Sequence, residues 1–198
     1  MVHLCLDFEG VLIPEIWQCL AKEVNSDDLM LTTQDLKDYD ELMSLRMKVV
    51  NEKNIKLSDI QEIVKNIDPF DGAQEFLEWA RSKFQVTIVS DTFYELAWPL
   101  VEKLGYPSII CHNMTVENDK ITGYKLRQPN NKQKVIEALQ SLNFKVFASG
   151  DSYNDINMLN TADLGIFFQA PNHIKEEFPH LLTACLLYTS DAADDDVR

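Results

Sequence analysis

Residues 2–8, VHLCLDF, are mostly apolar at both odd and even positions and carry Asp7 near their end, with Glu9 two residues after it and Pro14 close behind. A strand half exposed to water alternates apolar and polar residues, whereas a run apolar on both parities suits a strand covered on both faces, as in the middle of a parallel sheet. Similar runs recur at residues 84–89 (FQVTIV), 108–111 (SIIC), 144–148 (FKVFA) and 164–168 (LGIFF). Apolar residues near helical spacing fall between several of them, at 73–84 and 132–142, and this alternation predicts a doubly wound, Rossmann-like α/β fold with a parallel sheet. In such folds the active site lies at the carboxyl ends of the strands.

Residues 14–68 break the rhythm. They hold no good strand but three helical patterns, at 15–24, 33–53 and 57–67, the last with Ser58 as its expected N-cap. The division expected is a core of residues 1–13 and 69–184 with a small all-helical cap, 14–68, inserted after the first strand. Pro14 and the Asp68-Pro69-Phe70 stretch are its expected hinges. Residues 116–127 read as a short hairpin turning at Asn118-Asp119. From Cys185 the text CLLYTSDAADDDVR loses periodicity and ends with four acids and one base. It resembles translated sequencing-adaptor read-through, and 185–198 are set aside as a non-native tail.

A chain of 198 residues with 45% hydrophobic content is large enough for a sizeable core. Its formal net charge of -14 disfavours a nucleic-acid partner, which calls for clustered Lys and Arg. No stretch approaches the ~18 apolar residues of a membrane span, and the N-terminus lacks a signal-peptide pattern. The cysteines at 5, 19, 111 and 185 show no CxxC spacing, so Cys5 reads as a buried reduced thiol. A cytoplasmic location follows from these features.

Asp7 and Glu9 follow the first predicted strand, Ser90 the second, and Asp151 and Asp155 the fourth. A doubly wound sheet would gather them in one crevice. Carboxylates crowded together repel, and Mg2+, which takes oxygen ligands, is the usual remedy. Asp7, Asp151 and the backbone carbonyl of Glu9 are its candidate ligands. Asp7 is also the candidate nucleophile, forming an aspartyl phosphate, and Glu9 the acid that protonates the leaving alcohol and later deprotonates the acceptor. Ser90 offers a hydroxyl and Lys132 a positive charge to the transferring phosphoryl oxygens, although Lys134 stands nearby as a rival. Asp155 would orient Lys132 or a metal-bound water.

The ordered set DFEGV (Asp7 to Val11), SDT (Ser90 to Thr92), Lys132 and GDSYND (Gly150 to Asp155) resembles the four motifs of the haloacid dehalogenase superfamily of phosphatases, over roughly residues 1–184. The segments DFEGVLIPEIW, TTQDLKDYDELMSLR and FQVTIVSDTFYE are similar to its phosphoserine phosphatase/phosphoserine:homoserine phosphotransferase branch, which carries Glu and Gly at the positions of Glu9 and Gly10. The resemblance implies Mg2+ as cofactor and O-phospho-L-serine as substrate, with water or L-homoserine as phosphoryl acceptor. It also implies that Glu15 meets the substrate ammonium and Arg46 its carboxylate, with Thr92 and Asn154 as further contacts. A homodimer is a further expectation, and a C-terminal helix would stand where the tail is. Another small phosphorylated metabolite is the alternative substrate. A signalling receiver, which also phosphorylates a strand-end Asp, would need no helical insertion carrying Glu15 and Arg46.

Overall fold

Alternation within β1 (Val2–Leu6) sets the layout. Leu4 and Leu6 enter one buried apolar cluster and Cys5 enters the other, so both faces of this strand are covered. The computed structural model describes residues 1–33, 35–36 and 38–184. In it β1 pairs in parallel with β2 (Gln85–Phe93) on one side and β5 (Lys145–Gly150) on the other. With β3 (Ser108–Glu117), β4 (Lys120–Lys125), β6 (Leu164–Phe168) and β7 (Leu182–Ala184) they form one seven-stranded sheet of order β4-β3-β2-β1-β5-β6-β7. Among the described strands only β4 runs antiparallel to its neighbour. The chain winds outward from β1 to β3, then crosses back to β5, so the switch point falls between β1 and β5.

The apolar faces of α5 (Ala73–Lys83) and α6 (Tyr94–Lys103) cover one side of the sheet through Leu77, Ala80, Leu96 and Leu100. On the other side lie α7 (Asn131–Ser141), α8 (Ile156–Thr161) and α9 (Asn172–Glu177), contributing Ile136, Leu159 and Ile174. The doubly wound α/β architecture expected from the sequence is therefore the one observed.

Between β1 and α5 the described chain is helical: α1 (Ile16–Val24), α2 (Asp27–Met30), α3 (Tyr39–Glu52) and α4 (Leu57–Lys65). Their buried residues Leu20, Leu29, Met43 and Ile60 are continuous with the cluster that coats the sheet. The two crossings into this unit are tied together where the Phe70 N–H donates to the Leu12 carbonyl at 2.9 Å. Lys103 Nζ secures the return crossing through the Ile67 carbonyl at 2.7 Å and Asp68 Oδ1 at 2.8 Å.

Several local expectations change. The helix expected over 33–53 begins at Tyr39, because Asp38 accepts the Glu41 N–H at 3.0 Å as an N-cap, and residues 34 and 37 of that span lie outside the described residues. Ser58 is not an N-cap, since α4 already starts at Leu57. Its N–H and hydroxyl instead donate to Asp119 at 2.9 and 2.6 Å, fastening α4 to the tip of the β3–β4 hairpin. That hairpin turns at Asn118-Asp119 as expected, both residues having positive φ, +50° and +66°. The tail, 185–198 with Cys185, lies outside the described residues. Cys5 and Cys111 are buried and free, and Cys19 is half-buried.

Gly165 in β6 lets α8 lie directly on the sheet, since a Cβ there would stand 2.4 Å from the Leu159 carbonyl oxygen. Backbone cannot yield as a flexible side chain can. Gly165→Ala is expected to destabilise the fold by about 1–3 kcal/mol, read as a lower urea midpoint with an unchanged slope.

Candidate active site

The strand ends do converge. β1 and β5 are in register to Leu6 and Ser149, and the Asp7 N–H extends the pairing by donating to the Ser149 carbonyl at 2.9 Å. Asp7 is thus held at the switch point, 4% exposed. One carboxylate oxygen accepts the Phe8 N–H at 2.7 Å, and the other meets Lys132 Nζ at 2.9 Å.

Lys132 enters from the first turn of α7 and is also 4% exposed. Its ammonium lies 2.7 Å from Asp155 Oδ1 and 3.7 Å from Asp91 Oδ2 in addition to Asp7. Burial works against the charge, but Asp155, Asp7 and Asp91 hold its pKa well above the usual lysine value. Lys134, the alternative, points to solvent and pairs with Glu137 at 2.7 Å.

Asp155 is fully buried and both its oxygens are engaged: Oδ2 accepts the N–H groups of Asp151 and Ser152 at 3.0 and 3.1 Å, while Oδ1 takes Lys132. Gly150 makes this possible, because a Cβ there would fall 2.3 Å from Asp155 Cγ. Carboxylate oxygens of Asp7, Asp151 and Asp155 lie within 4.8 Å of one another. Burial, then Asp155, pushes Asp151 up to about 8; burial, with Asp155 and Asp151 adding and Lys132 opposing, lifts Asp7 well above the carboxylate range. An all-oxygen cluster that holds protons this tightly is suited to a hard divalent cation. Asp7 and Asp151 have oxygens to offer it.

Glu9 reaches across to the unit of α1–α4, where one carboxylate oxygen accepts the Ile16 N–H at 2.8 Å, at the start of α1. Burial and neighbouring Glu15 raise it to about 7, against the pull of Ile16, Arg46 and the buried Thr92 hydroxyl, which stands close by without hydrogen-bond geometry. A carboxyl group near pH 7 is poised to give and take a proton. Gly10 makes room for Asp151. Its φ is +79°, and a Cβ would lie 2.4 Å from Asp151 Oδ2, so it is Asp151 that occupies this space.

Ser90, Thr92 and Asn154 also line the cavity of about 240 Å³ above Asp7, as do Glu15 and Arg46. Regular pairing of β2 with β3 stops at Val89 and resumes at Phe93, which turns the 90–92 segment toward the cavity. Ser90 Oγ accepts the Thr92 N–H at 3.2 Å. Arg46 is 7% exposed. Its guanidinium donates to the Leu31 carbonyl at 3.0 Å and lies 4.9 Å from the Trp17 ring centroid, yet Nε has no partner. No carboxylate pairs with it among the described residues. Burial lowers its pKa, and burial raises that of Glu15. An incompletely bonded buried guanidinium is suited to receive a carboxylate.

Asp91 is the site residue that pattern reading missed. Its carboxylate meets His112 Nε2 at 3.4 Å and accepts from Asn154 Nδ2 at 3.3 Å, and its pKa falls because Lys132 and His112 outweigh burial. The Arg127 N–H donates to His112 Nδ1 at 3.1 Å, which leaves the ring proton on Nε2, facing Asp91. The available signal was its strand-end position beside Ser90, the same one that marked the other acids.

The sequence model of the haloacid dehalogenase-like hydrolases matches residues 10–160. A phosphoserine phosphatase ThrH of Pseudomonas aeruginosa is 47% identical over 176 residues, 88% of this chain and 86% of that protein. A phosphoserine phosphatase of Pseudomonas syringae is also 47% identical, over 88% of this chain and 74% of its own length. Among solved structures, an apo phosphoserine phosphatase superposes with a TM-score of 0.74 at 22% identity, covering 89% of this chain and 90% of that one. A substrate-bound phosphoserine phosphatase complex gives 0.73 at 21% identity, with the same coverage. No described helix is long and apolar enough to cross a membrane. With motif-bearing strand ends gathered around Asp7 and Lys132 and a family match spanning most of its length, the chain belongs to the haloacid dehalogenase-like hydrolases.

Proposed function

We propose that this chain is a Mg2+-dependent phosphoserine phosphatase working through an aspartyl phosphate on Asp7, and that it also hands the phosphoryl group to homoserine. The observation that carries this reading is one cavity with two ends. At the sheet, Lys132 stands between Asp7 and Asp155; at the helices, a buried guanidinium, Arg46, lacks a carboxylate. A small molecule with a phosphate at one end and a carboxylate at the other fits both. The 47% identity to the Pseudomonas relatives supports phosphoserine over another small phosphorylated metabolite.

In this reading Asp7 and Asp151, with the backbone carbonyl of Glu9, would hold Mg2+, while Asp155 positions Lys132 and the turn after β5, its carboxylate accepting from the ammonium and from the Asp151 and Ser152 amides. The cation, when bound, neutralises the carboxylate cluster and takes up charge from the phosphoryl oxygens. Ser90 and Lys132 donate to those oxygens, Glu15 answers the ammonium of the amino acid and Arg46 its carboxylate, with Thr92 and Asn154 lining the walls. Asp7 attacks phosphorus as Glu9 gives its proton to the departing seryl oxygen. Glu9, now ionised, takes a proton from water or from the homoserine hydroxyl, which displaces the phosphoryl group from Asp7. The helices of residues 14–68 form the cap domain over the core of 1–13 and 69–184, and exclude water from this exchange. A cytoplasmic homodimer completes the proposal.

Asp7→Asn should lower phosphate release from O-phosphoserine by about a thousandfold or more, whereas Arg46→Ala should raise KM about ten- to a hundredfold. Ordinary turnover in the Asp7 variant would exclude the covalent route.

Cation affinity should depend on pH. Asp151, raised to about 8, holds a proton at pH 7 that the cation must displace, so binding releases protons and tightens as pH rises toward 8. Calorimetry of Mg2+ binding in two buffers of different ionisation enthalpy measures that release. Equal heats would refute it.

Acceptor choice is resolved by following free phosphate and phosphohomoserine together as homoserine is added. Phosphate falling as phosphohomoserine rises establishes transfer; phosphate unaffected by homoserine leaves hydrolysis alone.

A further inference from the structure

Tyr39 opens α3, and Arg46 lies seven residues later, so the two side chains share one face of that helix. The Tyr39 hydroxyl donates to the backbone carbonyl of Asp91 at 2.9 Å. This contact joins the helical unit to the core beside Ser90, because Asp91 sits in the irregular end of β2. The Tyr39 ring packs against two others, edge to face with His112 at 6.3 Å and Tyr124 at 6.5 Å between centroids. A second bond supports the same turn of α3, where the Tyr124 hydroxyl on β4 donates to Asp40 at 2.8 Å.

Arg46 has weaker restraints of its own. Its guanidinium touches a thioether sulfur at 3.9 Å, the Leu31 carbonyl and the Trp17 ring, all within the helical unit, and none of these contacts ties it to the core. The distance between guanidinium and Lys132 is therefore fixed by whatever docks α3 on the sheet. At the cavity wall that is Tyr39.

We propose that Tyr39 is a positioning residue, whose hydroxyl bond to the Asp91 carbonyl sets the distance from Arg46 to the phosphoryl site and so tunes recognition of the substrate carboxylate. It acts through Arg46 and touches no reacting atom. This inference rests on the assignment of Arg46 to the substrate carboxylate made above.

Tyr39→Phe keeps both ring contacts and removes only the hydroxyl. It should raise KM for O-phosphoserine about five- to tenfold, the worth of one partly buried neutral hydrogen bond. The competitive Ki of inorganic phosphate, which has no carboxylate for Arg46 to meet, should stay within about twofold, a split that general loosening of the fold would not produce. In an Arg46→Ala background, adding Tyr39→Phe should change KM no further, because the two side chains act as one unit. If Arg46→Ala raises KM but Tyr39→Phe leaves it unchanged, or shifts the phosphate Ki equally, or adds its full effect to the double variant, the positioning role is overturned. If Arg46→Ala itself leaves KM unchanged, the carboxylate assignment falls, and the role of Tyr39 falls with it.

Discussion

Everything at this site depends on one ammonium group buried among carboxylates. Lys132 would be costly in a dry crevice by itself, and so would Asp7 and Asp155; at 2.9 and 2.7 Å each makes the others tolerable. Asp155 in turn caps the turn after β5 through the Asp151 and Ser152 amides, and Gly150 gives it room. Three distant segments are thereby locked to one point at the switch of the sheet. The acids outnumber the cations even so, and Glu9, Asp7 and Asp151 answer with raised proton affinity. A phosphoryl site that also took a divalent cation would call for that imbalance.

The helical unit is coupled to this centre more closely than a lid on two linkers. Glu9 leaves the sheet to bond the first amide of α1, so a strand-end acid holds a helix N-terminus, where negative charge is favoured. The β3–β4 hairpin reaches over from the core, gripping α4 through Asp119 and α3 through Tyr124. Between these contacts lie Arg46 and Glu15, so the groups that would recognise the amino acid are referenced to the same framework as those that would handle phosphate.

Much of this was legible in the chain. The strand VHLCL, apolar on both parities, announced a covered central strand, and acids following such strands announced a shared crevice, because strand order in a doubly wound sheet leaves few other places for them. Asp7, Glu9, Ser90, Lys132, Asp151 and Asp155 all line or abut that crevice. Asp91 went unassigned because its role comes from His112, Asn154 and Tyr39, which lie 21, 63 and 52 positions away. Ser58 was assigned to its own helix for the same kind of reason: a hydroxyl near a helix start suggests a cap, but its partner, Asp119, comes from another hairpin.

The sequence by itself determined the sheet, the helical excursion after β1 and the residue types able to move a phosphoryl group, because hydrophobic period and strand-end chemistry are local properties. Tertiary structure decided which lysine is buried, why Gly10 and Gly150 must be glycine and which residue steadies Arg46. Those outcomes depend on distances between segments far apart in the chain. They are set only when the two faces of the sheet are packed and most buried polar groups have found partners.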